Sequence, residues 1–137
     1  MKKLFTNLIV IEGKRDKVVE ILLNIAELST WNPAIVATKK LTVDSFEIYR
    51  HDGINLHEII TVRETADGVT YDSTGGKLEY RLEFSLLNEA GYTKVTENFY
   101  VSGKTKLELP LTLLSPIAKH AFNQNLDFLK KFSELVI

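Results

Sequence analysis

Strand-like segments separated by very short turns constrain the fold of this chain more than any other feature. Turn residues such as Asp52-Gly53, Asp67-Gly68 and Gly75-Gly76 separate segments at 34–43, 45–51, 55–64, 69–73, 77–87 and 92–101. Gaps this short join antiparallel neighbours, whereas parallel strands need long crossover connections. The sequence therefore predicts a six-stranded antiparallel meander and argues against a doubly wound parallel sheet.

A strand and two short helices are predicted before the meander. Residues 3–11 are rich in apolar and β-branched side chains, which predicts the first strand. Apolar residues at helical spacing predict a helix over 16–25 with Asp16 as its N-cap. A second short helix over 26–30 is expected to end at Trp31-Asn32-Pro33, because proline disfavours a helical conformation in the residue before it.

The apolar period changes again near the end of the chain. From Ala118 to Val136, apolar residues follow at three- and four-residue steps. This spacing predicts one long amphipathic helix, with Ser115 as its cap and Pro116 at its first position.

Composition excludes several classes of site. The length of 137 residues is ordinary for one domain, so residues 1–137 are expected to form a single unit. The chain has no cysteine, which removes disulfides, thiolate catalysis and sulfur-ligated metals. The net charge of −1, from 17 basic and 18 acidic residues, leaves no basic excess, so we expect no nucleic-acid partner.

Targeting and cofactor motifs are not expected either. The start of the chain is similar to a signal peptide, but the apolar run Leu8 to Ile11 is too short for its core. No run approaches the ~20 apolar residues that cross a bilayer, so we expect a cytoplasmic protein without integral membrane association. Phosphate-binding and nucleophile motifs are absent, and His57 and Glu58 would point to opposite faces of one strand. We therefore predict no metal and no cofactor.

Two stretches carry a resemblance to a known family. Asp16 to Pro33 combines a helix, a short acidic spacer and Trp-Asn-Pro, and Leu111 to Leu135 looks like a closing loop with an amphipathic helix. With the element order, they make the chain resemble the START/birch-allergen (SRPBCC, helix-grip) superfamily, in particular its bacterial polyketide cyclase/dehydratase-like branch. The resemblance spans essentially the whole chain. It implies an α+β fold in which a curved seven-stranded antiparallel sheet wraps around a long C-terminal helix, with two short helices between strands 1 and 2.

The resemblance also implies a ligand cavity between the concave face of the sheet and the C-terminal helix. Members of this superfamily bind sterols, lipids, flavonoids, hormones or polyketides there, some close aromatic rings, and some bind client proteins. The shared motifs are structural, so the fold alone does not settle the function.

Strand alternation predicts which side chains face the helix. In 77–87, one face is apolar and the other is charged or polar; the apolar face consists of Leu78, Tyr80, Leu82, Phe84 and Leu86. These side chains form either a packed core or a cavity wall. Tyr80 additionally offers a hydroxyl group to a ligand oxygen.

Carboxylates interrupt two other apolar faces. Glu58 lies on the apolar face of 56–62, and Glu97 shares that of 93–101 with Phe99. A carboxylate inside a protein costs free energy unless it is paired, neutralised or hydrated. Either these glutamates meet a polar ligand group or act as acid or base, or a bulge or register shift turns them to solvent.

Further candidates lie on the helices and the last loop. Trp31 is either a plug on the sheet edge or a gate at the cavity mouth. On the long helix, Phe122 and Asn125 lie on the apolar stripe, and Asn125 either bonds strand backbone or faces a wet cavity. The apolar segment 107–114 suits a lid, a membrane-touching lip, a partner surface or a cover for the open end of the sheet.

These observations lead to one favoured function and two alternatives. The favoured function is binding, carriage or sensing of a small hydrophobic molecule, lipid-like or aromatic. The alternatives are a cyclase/dehydratase-type enzyme that uses cavity carboxylates, and a protein-interaction module such as a homodimer. The predicted ligand-binding residues are Trp31, Glu58, Tyr80, Leu82, Phe84, Glu97, Phe99, Phe122 and Asn125.

Overall fold

One antiparallel sheet dominates residues 1–103 and 110–136, the part of the chain that the computed structural model describes. Its order is β1-β7-β6-β5-β4-β3-β2. The seven strands in this part of the chain are β1 (Lys2–Glu12), β2 (Ile35–Lys40), β3 (Ser45–Arg50), β4 (His57–Glu64), β5 (Gly68–Thr74), β6 (Tyr80–Glu89) and β7 (Tyr92–Val101).

Three helices complete the described structure. Helix α1 (Arg15–Leu23) and a 3₁₀ helix (Ile25–Thr30) lie between β1 and β2, and helix α2 (Leu111–Val136) follows the sheet. The predicted α+β helix-grip architecture and the six-stranded meander are thus confirmed. None of the helices in residues 1–103 and 110–136 has the length and apolarity needed to span a membrane.

The predicted inward face of the sheet is buried. From Tyr80 to Leu86 in β6 and from Thr93 to Val101 in β7, every second side chain is buried. The ring of Phe99 stacks on Phe5 at 4.7 Å and on Tyr80 at 4.9 Å between ring centroids. Phe122 of α2 meets Phe99 at 5.0 Å. This aromatic cluster joins the sheet to α2 at the centre of the molecule.

Helix α2 is attached along the β1 edge of the sheet. The Lys130 ammonium donates to the carbonyl of Val10 at 2.8 Å, and the Ser115 hydroxyl donates to the carbonyl of Leu4 at 3.1 Å. These contacts satisfy backbone groups of an edge strand, which otherwise invites pairing with other chains. Because α2 is attached at the β1 edge, the β3–β4 part of the sheet is left less closely covered.

Two predicted helix starts are wrong. Lys14 is the N-cap residue of α1, and Asp16 lies inside the first turn, where its negative charge suits the helix dipole. Helix α2 begins at Leu111, before Ser115, and contains Pro116 within it. The extra turn forms because the carbonyl of Pro110 accepts the N–H groups of residues 113 and 114 and the side chain of residue 114 is buried. The apolar segment 107–114, for which a lid, a lip, a partner surface and a cover were all left open, is therefore helical from 111 onward, and its residues 107–109 lie outside the described residues.

A glycine permits the close approach of β5 to β6. A Cβ atom at Gly68 would overlap the carbonyl oxygen of Phe84 and lie 2.6 Å from Cδ1 of Leu86. A Cβ at Gly103 would meet no atom of the described residues within 4 Å. The two positions therefore form a matched pair.

We expect Gly68→Ala to lower the free energy of unfolding by about 1–3 kcal/mol, the range typical of overpacking. Gly103→Ala should change it by less than about 0.5 kcal/mol, as surface substitutions usually do. Urea denaturation of both variants measures the difference. Equal stabilities would contradict the described packing of β5 against β6.

Candidate functional site

A cavity of about 460 Å³ lies between α2 and the β3–β4 part of the sheet. One wall is α2, which contributes mostly apolar side chains, among them Ile117, Ala118, Phe122 and Phe128. The opposite walls come from the turn between β3 and β4 and from Pro33-Ala34 before β2. The cavity thus forms on the side of the sheet away from the α2 attachment.

A cluster of polar side chains closes one end of this cavity. Arg50, Asn55, Glu58 and Tyr80 all line it. The Glu58 side chain is 0% exposed and that of Arg50 is 13% exposed, and Nη2 of Arg50 lies 2.7 Å from Oε1 of Glu58. The cluster is therefore built on a buried ion pair, which needs further hydrogen bonds to offset the loss of hydration.

Both carboxylate oxygens of Glu58 accept several hydrogen bonds. Oε1 accepts from Nε of Arg50 at 2.8 Å and from the Tyr80 hydroxyl at 3.1 Å, in addition to the Nη2 contact. Oε2 accepts from Nδ2 of Asn55 at 2.9 Å and from the Ser73 hydroxyl at 2.5 Å. A carboxylate offers about four lone-pair positions, so Glu58 has no acceptor capacity left for a ligand.

Asn55 ties this cluster to the start of β6. Its Nδ2 also donates to the carbonyl of Leu78 at 2.7 Å, and its Oδ1 accepts the N–H of Leu78 at 2.8 Å. A Cβ at Gly76 would lie 2.5 Å from Cγ of Asn55, so glycine is needed at position 76 for this approach. The amide therefore holds Glu58 at a fixed position relative to the sheet.

The environment keeps both members of the pair charged. Burial works against ionisation of Glu58, but Arg50 and the hydrogen bonds from Ser73 and Asn55 outweigh it and lower the pKa of Glu58. Burial also works against the charge of Arg50, and Tyr80 and Glu58 outweigh it and raise the pKa of Arg50. Burial, followed by the charge of Glu58, raises the pKa of the Tyr80 hydroxyl. Glu58 is thus an anion and Tyr80 a neutral donor.

Glu97 is a second buried carboxyl group with a different environment. Its Oε1 accepts a hydrogen bond from Nδ2 of Asn7 at 3.3 Å, and the same Nδ2 donates to the carbonyl of Lys119 in α2 at 3.1 Å. Burial raises the pKa of Glu97 to about 8, against a smaller lowering by Asn7. Glu97 is therefore mostly protonated at neutral pH, in the core between β7, β1 and α2.

The sequence left the orientation of both glutamates open, and the structure buries both side chains, so that no bulge or register shift turns them to solvent. Only Glu58 lines the cavity. A raised pKa, which acid catalysis would need, belongs to Glu97 and not to Glu58. Both carboxyl groups are thus buried, but only that of Glu58 reaches the cavity.

The structure brings four of the nine predicted residues together in the cavity: Glu58, Tyr80, Phe122 and Asn125. Leu82, Phe84, Glu97 and Phe99 are buried in the core and do not line it. The sequence left packed core and cavity wall open for the inward face of β6, and these side chains belong to the buried core, where α1 contacts β6 and β7.

Trp31 lies elsewhere, in a second pocket of about 350 Å³ between the 3₁₀ helix and the last turns of α2. It is 8% exposed, and its Nε1 has no hydrogen-bond partner in the described part of the chain. It does not line the first cavity, and Phe132 and Val136 of α2 line the second pocket with it.

Sequence reasoning missed Arg50, Asn55 and Ser73. A signal for two of them exists, because Arg50 continues the inward alternation of Phe46 and Ile48, and Ser73 continues that of β5. Asn55 lies in a turn, where no strand or helix periodicity predicts the orientation of a side chain. In residues 1–103 and 110–136, no group of three or more His, Asp or Glu side chains is arranged to hold a metal ion.

The raised pKa of Glu97 predicts a pH-dependent stability. The folded state favours the protonated form of Glu97. Its contribution to the free energy of unfolding is therefore complete below about pH 4.5, the ordinary pKa of a glutamate, and is lost as the pH rises toward 8. Between about pH 5 and 8, the free energy of unfolding of the wild type should fall relative to Glu97→Gln by roughly 1 kcal/mol per pH unit. Urea denaturation at several pH values measures this difference. Parallel pH profiles for the two proteins would contradict the described environment of Glu97.

Comparison with known proteins rests on structure alone. No protein-family model matches the chain, and no curated protein matches it by sequence. A START superfamily protein from Mycobacterium smegmatis superimposes with a TM-score of 0.81 at 16% identity, covering 97% of this chain and 98% of the other.

Two further solved structures agree with this result. The Zhui aromatase/cyclase from a Streptomyces species gives a TM-score of 0.71 at 13% identity, over 95% of this chain and 92% of the other. A STAR-related lipid transfer protein from Xanthomonas axonopodis gives 0.63 at 16% identity, over 93% and 84%. The chain therefore has the START-superfamily fold that its sequence resemblance predicts.

Proposed function

We propose that this protein binds a small, mostly apolar molecule that carries one polar group, in the cavity between α2 and the sheet. The observation that carries this proposal is an apolar cavity of about 460 Å³ that ends in one pre-arranged polar cluster. Ligand sites in proteins typically combine such a volume, apolar walls and a few convergent polar groups.

Arg50 supplies the hydrogen-bond donor for the polar group of the ligand. Its Nε and Nη2 contact Glu58, Nη2 also lies 3.5 Å from the Tyr80 hydroxyl oxygen, and none of these hydrogen bonds within the described residues uses Nη1. A guanidinium group carries five N–H donors and no acceptor. A carbonyl or hydroxyl oxygen of a ligand would therefore accept a hydrogen bond from Nη1 at the closed end of the cavity.

The apolar body of the ligand would contact α2. Phe122 and Phe128 provide aromatic surface, and Asn125 offers a polar contact partway along the helix. Glu58, Tyr80, Phe122 and Asn125 are the sequence-predicted residues that we retain for this role. The names of the similar structures, a lipid transfer protein and an aromatase/cyclase, support a lipid-like or aromatic ligand.

The polar cluster favours binding over acid–base catalysis by cavity carboxylates. The oxygens of Glu58 are occupied by hydrogen bonds, and the Tyr80 hydroxyl donates to Glu58 with a raised pKa. A general acid or base must reach the proton that it transfers, and neither group is free to do so. Glu97, whose pKa is near neutrality, does not line the cavity.

A neutral fluorescent probe tests the proposal. N-phenyl-1-naphthylamine should bind the purified protein saturably with an increase in fluorescence, because the apolar cavity excludes water from the probe. Ala121 lines the cavity from an exposed position of α2, so Ala121→Trp fills the cavity without disturbing the core. We expect this variant to weaken probe binding at least tenfold.

Asn123→Trp is the matched control, because Asn123 is exposed on the same helix and does not line the cavity. It should bind the probe as the wild type does. Absence of saturable binding to the wild type, or equal weakening by both substitutions, would overturn the proposed function.

A further inference from the structure

We propose that the cavity selects electrically neutral ligands, and that Glu58 sets this selectivity by neutralising Arg50. This inference rests on the proposed function and names its ligand class: an apolar body with a neutral oxygen acceptor, such as a ketone, ester, amide or alcohol. Free carboxylates and phosphates are disfavoured.

The charges that line the cavity contain no positive excess. In the described part of its wall, the charged side chains are Arg50, Asp52 and Glu58, which amount to one cation and two carboxylates. Asp52 lies exposed at the mouth, beside the exposed His51. An anionic ligand would therefore pass a carboxylate before it reaches an arginine that is already paired.

The pair at the closed end is fixed. Glu58 cannot turn away to release Arg50, because Asn55 and Ser73 hold its other oxygen at 2.9 Å and 2.5 Å. Asn55 is in turn held by the backbone of Leu78. Nη1 of Arg50 can consequently donate a directed hydrogen bond to a ligand. Most of the positive charge of the guanidinium group is compensated by Glu58, whose Oε1 lies 2.7 Å from Nη2.

Desolvation then discriminates between ligands. An anion that enters an apolar cavity loses its hydration. Only an uncompensated opposite charge or several hydrogen bonds offset the free energy that this dehydration costs. A neutral carbonyl loses much less hydration, and one hydrogen bond from Nη1 suffices to replace it. The same cavity without Glu58 would hold a bare buried guanidinium and would favour anions. Glu58 is thus a specificity-determining residue that acts through Arg50.

Two isosteric probes separate charge from shape. 2-Naphthamide and 2-naphthoate share the same ring system and a planar terminal group, and differ by one negative charge. Each is titrated against the full chain by isothermal calorimetry, in competition with N-phenyl-1-naphthylamine where binding is weak. The wild type should bind the amide at least tenfold more tightly than the carboxylate.

Substitution of Glu58 should reverse this preference. In Glu58→Gln, Arg50 keeps its charge without a counter-ion, so the ratio of the two dissociation constants should shift toward the carboxylate at least tenfold. An unchanged ratio in the folded variant, or a wild type that binds the carboxylate as tightly as the amide, overturns the inference.

A second variant keeps the test decisive if Glu58→Gln does not fold. The double variant Arg50→Gln, Glu58→Gln removes both charges and leaves no unpaired buried ion. It should bind the amide at least threefold more weakly than the wild type and should still reject the carboxylate. Amide binding equal to that of the wild type would show that Arg50 is not the donor.

Failure of the proposed function itself would look different, because then neither naphthyl compound nor the fluorescent probe would bind the wild type.

Discussion

The hydrogen bonds that fix α2 along the β1 edge determine where this fold has room for a ligand. Ser115, Lys130 and Glu134 satisfy backbone groups of β1, and Asn7 reaches back from β1 to the carbonyl of Lys119. Over this half of the sheet, the aromatic cluster and α1 fill the interior with packed side chains. The other half, under β3 and β4, faces the apolar side of α2 among the described residues, and the cavity lies there.

The buried ion pair gives that cavity its chemical character. Arg50 and Glu58 come from neighbouring strands and are surrounded by Asn55, Ser73 and Tyr80, so their charges are satisfied by fixed protein groups. A pair of this kind contributes little net stability relative to apolar side chains of the same volume. Its presence beside an otherwise apolar cavity therefore fits the proposed recognition of a ligand better than a contribution to folding.

Much of the fold follows from local patterns, and much of the site does not. Turn spacing was sufficient to predict the six-stranded meander, and period-two alternation placed Glu58 and Glu97 on apolar faces but left open whether they are buried. The start of α2 was not predictable from its cap residues, because burial of Leu114 outweighs the preference of Ser115 and Pro116 for a first turn. The separation of Glu58 from Glu97 depends on where α2 lies across the sheet, and the role of Asn55 depends on a turn. The position of α2 and the contacts of Asn55 are properties of the tertiary structure, which the pattern of one sequence segment cannot predict.

The most direct test is a crystal structure of the protein in complex with 2-naphthamide. We expect the ring between α2 and the sheet, against Phe122, and the amide oxygen about 2.7–3.2 Å from Nη1 of Arg50, a normal hydrogen-bond distance. The ion pair of Arg50 with Glu58 should remain intact in that complex. A ligand found outside this cavity, or a cavity filled by side chains of the protein itself, would contradict this expectation.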